Sequence, residues 1–365
     1  MTIDVHGHIT SPELFRRFPM PPSLADVDGM VELKAAAGIT TSLVGSPVGA
    51  GTMVRTPGLD NYRQPLDRLE AFHDWLADQV RERPTALRAY VYTNPLGSDL
   101  ELAAAAKRLE QQEFVGLMVN SSVEGGFLDT PRADAFFAMA AQYRTPVMLH
   151  PPAEPAGAGQ LGDLRLVEQV ARPCDVTLGT AAVIFAGWLE KYPQLRIISP
   201  TCGGGLPLLL ERLDLARRMP ANFGRPGGGP PPGAGGPPPG VGGPPPGAGG
   251  PPPGVGRPAG GPPPDDAPQL TPLPELLRRV YVDTATPSTR ALVAAVDAFG
   301  IGNVMFGTDT PPMSAPLGLA LDRLDSLGLS PEDVQRIRHG NAAELFGLDQ
   351  AGPASPAGAA GRSAA

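Results

Sequence analysis

The 365-residue chain carries 29 basic and 37 acidic residues, a formal charge of −8, and its basic residues form no cluster. That balance excludes a nucleic-acid surface or an anionic membrane as the expected partner. Its 46 glycines and 46 prolines are concentrated rather than spread, and two cysteines, Cys174 and Cys202, are too few and too far apart to frame a disulfide fold.

The chain opens with MTIDVHGH, which has neither a basic n-region nor an apolar h-region, so the expected location is the cytoplasm. From there, short β-branched or apolar runs recur over residues 2–9, 39–47, 87–94, 114–122, 145–152, 195–201, 280–286 and 303–311. Between them lie segments such as SLADVDGMVELKAAAG, LDRLEAFHDWLADQVRER, LELAAAAKRLEQQ and RADAFFAMAAQY, whose apolar residues recur at three and four, as helices with one buried face require. Apolar strands alternating with helices indicate a parallel sheet covered on both sides. Eight such units predict a (β/α)8 TIM barrel. A doubly wound open sheet is the alternative, although no strand–GxGxxG–helix element supports it. The longest apolar run, LGTAAVIFAGWL, is about half of what a membrane span needs.

Residues 221–268 are dominated by a near repeat of GGPPPGAGGPPPGVG, and residues 350–365 read AGPASPAGAAGRSAA after Gln350. Neither tract has enough apolar side chains to offset its ordering entropy, so both are expected to be disordered or polyproline-like. The expected organisation is one barrel domain formed by residues 1–220 and 269–349, with the Pro/Gly-rich insert before the seventh strand. The insert is open to three readings: a repeat expansion without a role, a flap over the barrel mouth or a dimer partner, or a docking site for a proline-recognition domain.

Chemistry in such a barrel sits at the C-terminal ends of the strands. Those ends carry His6 and His8 on the first strand, His150 on the fifth, Asp283 on the seventh and Asp309 on the eighth. Residues i and i+2 share a face, so the His-Gly-His spacing aims both imidazoles of the first strand into the mouth. Three imidazoles and one carboxylate suit Zn²⁺ or another borderline divalent ion, with a position left for water. The alternative for each of these groups is a hydrogen-bonded strand cap. The remaining histidines, His73 and His339, fall in helical patterns and read as packing or surface residues. Lys34, Lys107 and Lys191 also fall in helical patterns, so no middle-strand lysine is available to bridge a second metal.

These residues resemble the amidohydrolase superfamily, in the branch related to aminocarboxymuconate-semialdehyde decarboxylase. The likeness runs through IDVHGHITSPELF, VMLHPP, VIFAGWLEKYPQLRIIS, GGGLPLLLERL, VMFGTDTP and GNAAELFGL. It implies that His6, His8, His150 and Asp309 hold one divalent metal ion, Zn²⁺ first and Mn²⁺ or another ion as alternatives. It also implies a small-molecule substrate and a homodimer, although the insert leaves the dimer open.

Two departures stand out. The family ends its sixth strand with a histidine in a pattern like H-x-G-G-x-x-P. In IISPTCGGGLP that alignment puts Thr201 where the histidine belongs, with Cys202 beside it. The family histidine handles the reaction's proton, a task typically worth ~10²- to 10⁴-fold, and a threonine cannot take up a proton near neutral pH. Three readings follow: Asp309 alone is the base, another residue substitutes, or no base is needed there. A reactive Cys202 is one candidate substitute, with a buried structural thiol as the alternative. Second, the family's arginine-bearing hairpin after the first strand is short here, and Arg16 and Arg17 are the nearby cations. Asp283 is either a strand cap or a residue lining the mouth.

The expectation is therefore a metal-dependent enzyme, with Asp309 and Thr201 at the reacting centre. Non-oxidative decarboxylation of a small carboxylated or aromatic molecule comes first. Hydrolysis of a C–N or C–O bond is the alternative, and a metal-binding pseudoenzyme or scaffold is the rival from another class.

Overall fold

The computed structural model of the chain describes residues 1–18, 20–46, 65–219, 271–311 and 316–348. The expected insert over 221–268 and the expected tail over 350–365 lie outside the described residues. Eight parallel strands form the sheet: β1 (Ile3–His8), β2 (Thr41–Gly45), β3 (Leu87–Val91), β4 (Phe114–Asn120), β5 (Pro146–His150), β6 (Arg196–Ser199), β7 (Val280–Asp283) and β8 (Val304–Met305). Each pairs with the next in chain order. The ring closes where Val5 N–H donates to Phe306 O (2.9 Å) and Asp309 N–H donates to His6 O (2.8 Å). This is the expected (β/α)8 barrel. A two-strand antiparallel hairpin, Ser122–Val123 with Gly126–Phe127, follows β4 and is additional to it.

Local chemistry explains the helices that cover the barrel. Helix Leu66–Glu82 buries Leu69, Phe72, Leu76 and Val80, a stripe at spacings of three and four. Helix Asp99–Arg108 starts in a capping box, in which the Ser98 side chain accepts from Glu101 N–H and the Glu101 carboxylate accepts from Ser98 N–H. His73 is a packing residue, buried on its helix with Nε2 accepting from Tyr92 N–H at 3.1 Å.

Two apolar layers result. The larger lies between sheet and helices and takes Val44, Ala89, Val119, Val147, Ile197 and Val282 from the outward faces of the strands. The smaller fills the barrel itself with Ile3, Val5, Leu43, Tyr90, Met118, Met148, Ile198 and Met305. Helix Asn341–Phe346 closes that inner layer, its Phe346 ring meeting Tyr90 edge-on at 5.9 Å. A filled base leaves only the opposite end of the barrel for a site.

The first strand departs from simple alternation. Its register against β2 slips between Asp4 and Gly7, so Asp4 pairs with Ser42 and Gly7 with Val44. This bulge puts Ile3 and Val5 in the inner layer and then His6 and His8 on the same inner side. Asp4 and Gly7 face the outer helix Val27–Ala36, where Lys34 Nζ donates to Asp4 Oδ2 at 2.7 Å. A Cβ on Gly7 would lie 2.9 Å from that same Nζ, which is why glycine stands between the two histidines. Asp4 also accepts from His6 N–H (3.0 Å), Thr308 N–H (3.0 Å) and Thr308 Oγ1–H (2.6 Å). One buried carboxylate thus clasps the bulge of β1 to the chain that follows β8.

Candidate metal centre

His6, His8, His150 and Asp309 converge at the C-terminal end of the barrel. One ligand-type atom from each lies within 4.8 Å of the others. The three imidazoles stand nearly perpendicular to one another, at centroid distances of 5.0, 5.3 and 4.8 Å. All three histidines are buried. Their elements explain the meeting: β1 delivers two side chains through its bulge, β5 delivers His150 from across the barrel, and Asp309 sits on a left-handed turn (φ 55°) after β8.

Three ring nitrogens of the cluster lack protein partners. Nε2 of His6 and both ring nitrogens of His8 are buried without a hydrogen bond. His8 Nε2 lies 3.0 Å from Asp309 Oδ1 and His6 Nε2 lies 3.6 Å from it, contacts that are close without being aligned as hydrogen bonds. Ligands about 2.0–2.1 Å from a shared tetrahedral ion stand roughly 3.4 Å apart, so these spacings suit a common cation. Burying unpaired imidazole nitrogens is costly otherwise. The donor set therefore fits one divalent metal ion.

Asp283 is neither a plain strand cap nor a wall of the mouth. It is fully buried, with Oδ2 2.7 Å from His6 Nδ1, while Oδ1 accepts from Thr201 N–H (2.7 Å) and Ala285 N–H (3.0 Å). By fixing the proton on Nδ1 it leaves His6 Nε2 as the donor atom toward the cluster. Sequence reasoning missed this pairing, because no local signal links the seventh strand to the first.

Charge follows from these contacts. Burial opposes protonation of His6, but Asp283 and Asp309 outweigh it and hold the imidazole up to about 9. Burial holds His8 below its ordinary value despite Asp309. Burial, and then the repulsion that His8 when protonated and the Arg172 guanidinium would add, hold His150 well below it. Burial works against ionised Asp309, yet His6 and His8 bring its carboxyl down to about 2. In the metal-free protein the raised His6 value contributes stability that is complete below about 6.5 and lost as pH rises through about 9. A metal ion must displace that proton. Its apparent affinity should therefore climb by up to about tenfold per pH unit toward pH 9 and then level off. Competition with a chromophoric chelator between about pH 6 and 8 checks this, and a flat profile would rule it out.

Above the cluster lies a cavity of about 280 Å³, lined in part by His6, His150, Asp309, Thr201, Glu168 and Arg172. Thr201 reaches it from a tight turn after β6, in which Thr201 and Cys202 both take left-handed backbone angles (φ 53° and 58°). Strand alternation ends at Ser199, so it is this turn that delivers Thr201. Cys202 is fully buried, and burial followed by the charge of Asp283 pushes its thiol far up, so it is a packing thiol and no nucleophile. Arg16 and Arg17 lie at the end of helix Pro12–Arg17, with Arg17 paired to Glu13 at 3.1 Å, and neither lines the cavity. The cations that do are Arg172, on the segment after β5, and Arg323, neither of which the sequence pattern singles out.

No helix among the described residues is long and apolar enough to cross a membrane. A family model described as amidohydrolase matches residues 3–348. The 2-amino-3-carboxymuconate-6-semialdehyde decarboxylase of Dictyostelium discoideum is 22% identical over 149 residues, which cover 41% of this chain and 41% of that protein. The gamma-resorcylate decarboxylase of Rhodococcus jostii is 25% identical over 166 residues, which cover 41% of this chain and 49% of that protein. The chain thus spans about half the length, or less, of these curated relatives. Among solved structures, a dihydroxybenzoic acid decarboxylase from Polaromonas sp. JS666, with bound manganese and the inhibitor 2-nitroresorcinol, aligns with a TM-score of 0.67. That alignment has 19% identity and covers 96% of this chain and 98% of the other, a likeness of fold. With its barrel, its strand-end histidines and a family match running from the first strand to the last helix, the chain belongs to the amidohydrolase family.

Proposed function

We propose that this chain is a metal-dependent carboxy-lyase that removes CO₂, without oxidation, from a small aromatic or otherwise conjugated carboxylic acid. The observation that carries the reading is the convergence of His6, His8, His150 and Asp309, with unpaired ring nitrogens, beneath a cavity sized for one small molecule. Decarboxylases among the relatives support the reaction type. Residues 1–220 and 269–349 would make up the catalytic unit. The ion would be Zn²⁺ or Mn²⁺, and manganese in the Polaromonas structure favours testing the latter early. When bound, it would act as a Lewis acid that positions substrate oxygens and draws electron density from the ring.

The chain's own residues then divide the remaining work. Asp283 holds His6 in one tautomer and Asp309, ionised, completes the donor set. Loss of CO₂ breaks a carbon–carbon bond and leaves its electron pair on the ring carbon, which must gain one proton. The ionised Asp309 has no proton to give, and the hydroxyl of Thr201 can donate a hydrogen bond without serving as an acid near neutral pH. Beyond the candidate ligands, Glu168 is the remaining carboxyl that lines the cavity among the described residues. This arrangement favours slow protonation from water or Glu168 in place of the family histidine.

The test is CO₂ release and proton-for-carboxylate exchange on a panel of hydroxylated benzoates, using manganese- and zinc-loaded protein. Hydrolysis of lactones or amides without CO₂ release would replace this reading, and bound metal without any turnover would favour a scaffold. Restoring the missing group should help. Histidine tolerates a left-handed backbone better than β-branched threonine does, and the Thr201 N–H bond to Asp283 does not need the side chain. Thr201→His is therefore expected to fold and to raise kcat by up to ~10²-fold. Complete loss of turnover in that variant would mean the hydroxyl has a role of its own.

A further inference from the structure

Two prolines follow His150, and neither Pro151 nor Pro152 has a backbone N–H with which to fix the chain that leaves this ligand. That chain is held instead from helix Arg172–Phe185. Arg172 Nη1 donates to Pro152 O at 3.0 Å, and Ala156 N–H donates to Asp175 Oδ2 at 2.7 Å. On its other side His150 is braced by the end of β4, because Ser121 N–H donates to His150 O at 2.9 Å. The Ser121 hydroxyl in turn donates to Asp175 Oδ1, and the Ser122 hydroxyl donates to Asp175 Oδ2 at 2.7 Å. One carboxylate thus gathers the two serines that follow β4 and the loop that follows β5.

Asp175 is 1% exposed, and both serines are fully buried. Its three donors are neutral, and the helix adds the positive end of its dipole, because Asp175 lies in the first turn. An asparagine would be nearly the same shape but would turn an amide NH₂ toward one or more of these donors. One turn further along, Gly179 lets the helix lie flush on the same serine. A Cβ there would come 2.8 Å from Ser121 Cβ and 2.9 Å from Ser121 O. Glycine is otherwise unfavourable inside a helix. The helix is therefore shaped at two positions on one face to seat Ser121.

We propose that Asp175 is a positioning residue for the metal centre, setting where β5 presents the His150 imidazole. It acts through Ser121 on the carbonyl of His150, and through Ala156 on the loop that leaves it. Asp175 lies outside both the cavity lining and the donor set. Its loss should therefore disturb the centre without removing a ligand. Site geometry has to be held to within about 0.5 Å, so a small shift of β5 is enough.

The inference rests on the metal-binding part of the proposed function and holds whichever reaction the metal serves. Wild type, Asp175→Asn and Thr180→Val are titrated with Co²⁺, whose visible spectrum reports ligand number and geometry. Competition with a chelator gives the affinities. Thr180→Val is the control, since it breaks a buried 2.7 Å contact of the same helix with Ser199 of β6, not with β4 or β5. Both variants should lower Tm. Asp175→Asn alone should change the Co²⁺ spectrum and weaken binding, by about 10- to 100-fold, the range for groups that orient metal ligands. Ser121→Ala should shift both in the same direction by less, and it carries the test if Asp175→Asn fails to fold. Wild-type spectrum and affinity in Asp175→Asn and Ser121→Ala would leave Asp175 a purely structural group and overturn the inference. An equal loss of affinity in Thr180→Val would do the same. Wild type that binds no Co²⁺ would overturn the metal centre itself, and the inference with it.

Discussion

His150→Ala is expected to strip the protein of its metal and, with it, of turnover. His150 alone reaches the cluster from β5, across the barrel from the two histidines of β1. It is buried, and burial above all holds it neutral, so it offers an imidazole lone pair without a protonation cost near neutral pH. Structural zinc sites bind with about 10–16 kcal/mol over four ligands, so losing one ligand costs roughly 4 kcal/mol, or about 10³-fold in affinity. Elemental analysis after exhaustive dialysis should find about one equivalent in wild type and a small fraction of that in the variant. Near-stoichiometric metal in His150→Ala, competed off by chelator no more easily than from wild type, would show that the ion sits elsewhere.

Lys34→Met is expected to destabilise the whole barrel and, through it, the metal site. Lys34 and Asp4 form a buried pair at 2.7 Å, with side chains 2% and 0% exposed. Removing one partner leaves an uncompensated buried charge, which costs about 3–5 kcal/mol. For a chain of this size that corresponds to a fall in Tm of roughly 5–10 °C. The carboxylate left behind still clasps His6 N–H and Thr308, but without its counter-charge the seam between β1 and β8 should loosen. Metal affinity then drops as well, by about the 10–100-fold seen when groups that orient ligands are removed. Urea unfolding of the metal-free protein measures the first effect and chelator competition the second. Combining Lys34→Met with Asp4→Leu separates them: stability should partly return, because the lone charge is gone, whereas metal affinity should not. A single variant within about 1 kcal/mol of wild type would refute the clasp, since that is the range of an exposed ion pair.

The same contrast marks what could be read in advance. Lys34 was legible as a helical residue, and it is one, on Val27–Ala36. Its burial against Asp4 was not, because the pairing depends on a bulge that slips β1 against β2. Ordinary alternation correctly paired His6 with His8, yet it could not explain how Ile3 and Val5 also face inward. At Thr201 the resemblance expects a histidine, but strand geometry does not place the side chain there, since the backbone is left-handed for two successive residues. Arg16 and Arg17 follow β1 in the chain yet lie off the cavity, whereas Arg172 and Arg323, which carry no local signal of a site, line it.

By itself the sequence determined the barrel, its eight strands and the positions of the strand-end histidines and aspartate. These are periodic or local properties: apolar runs bounded by turns, helical stripes, and the two-residue repeat of a strand. The tertiary structure alone decided which carboxylate holds His6, which hangs on Asp283 standing 277 residues away in the chain. It also decided that Asp4 closes the seam and that Arg172 faces the cavity. Those choices follow from inter-strand register, a left-handed turn and the closure of β8 onto β1, which arise only once distant segments are packed in one ring.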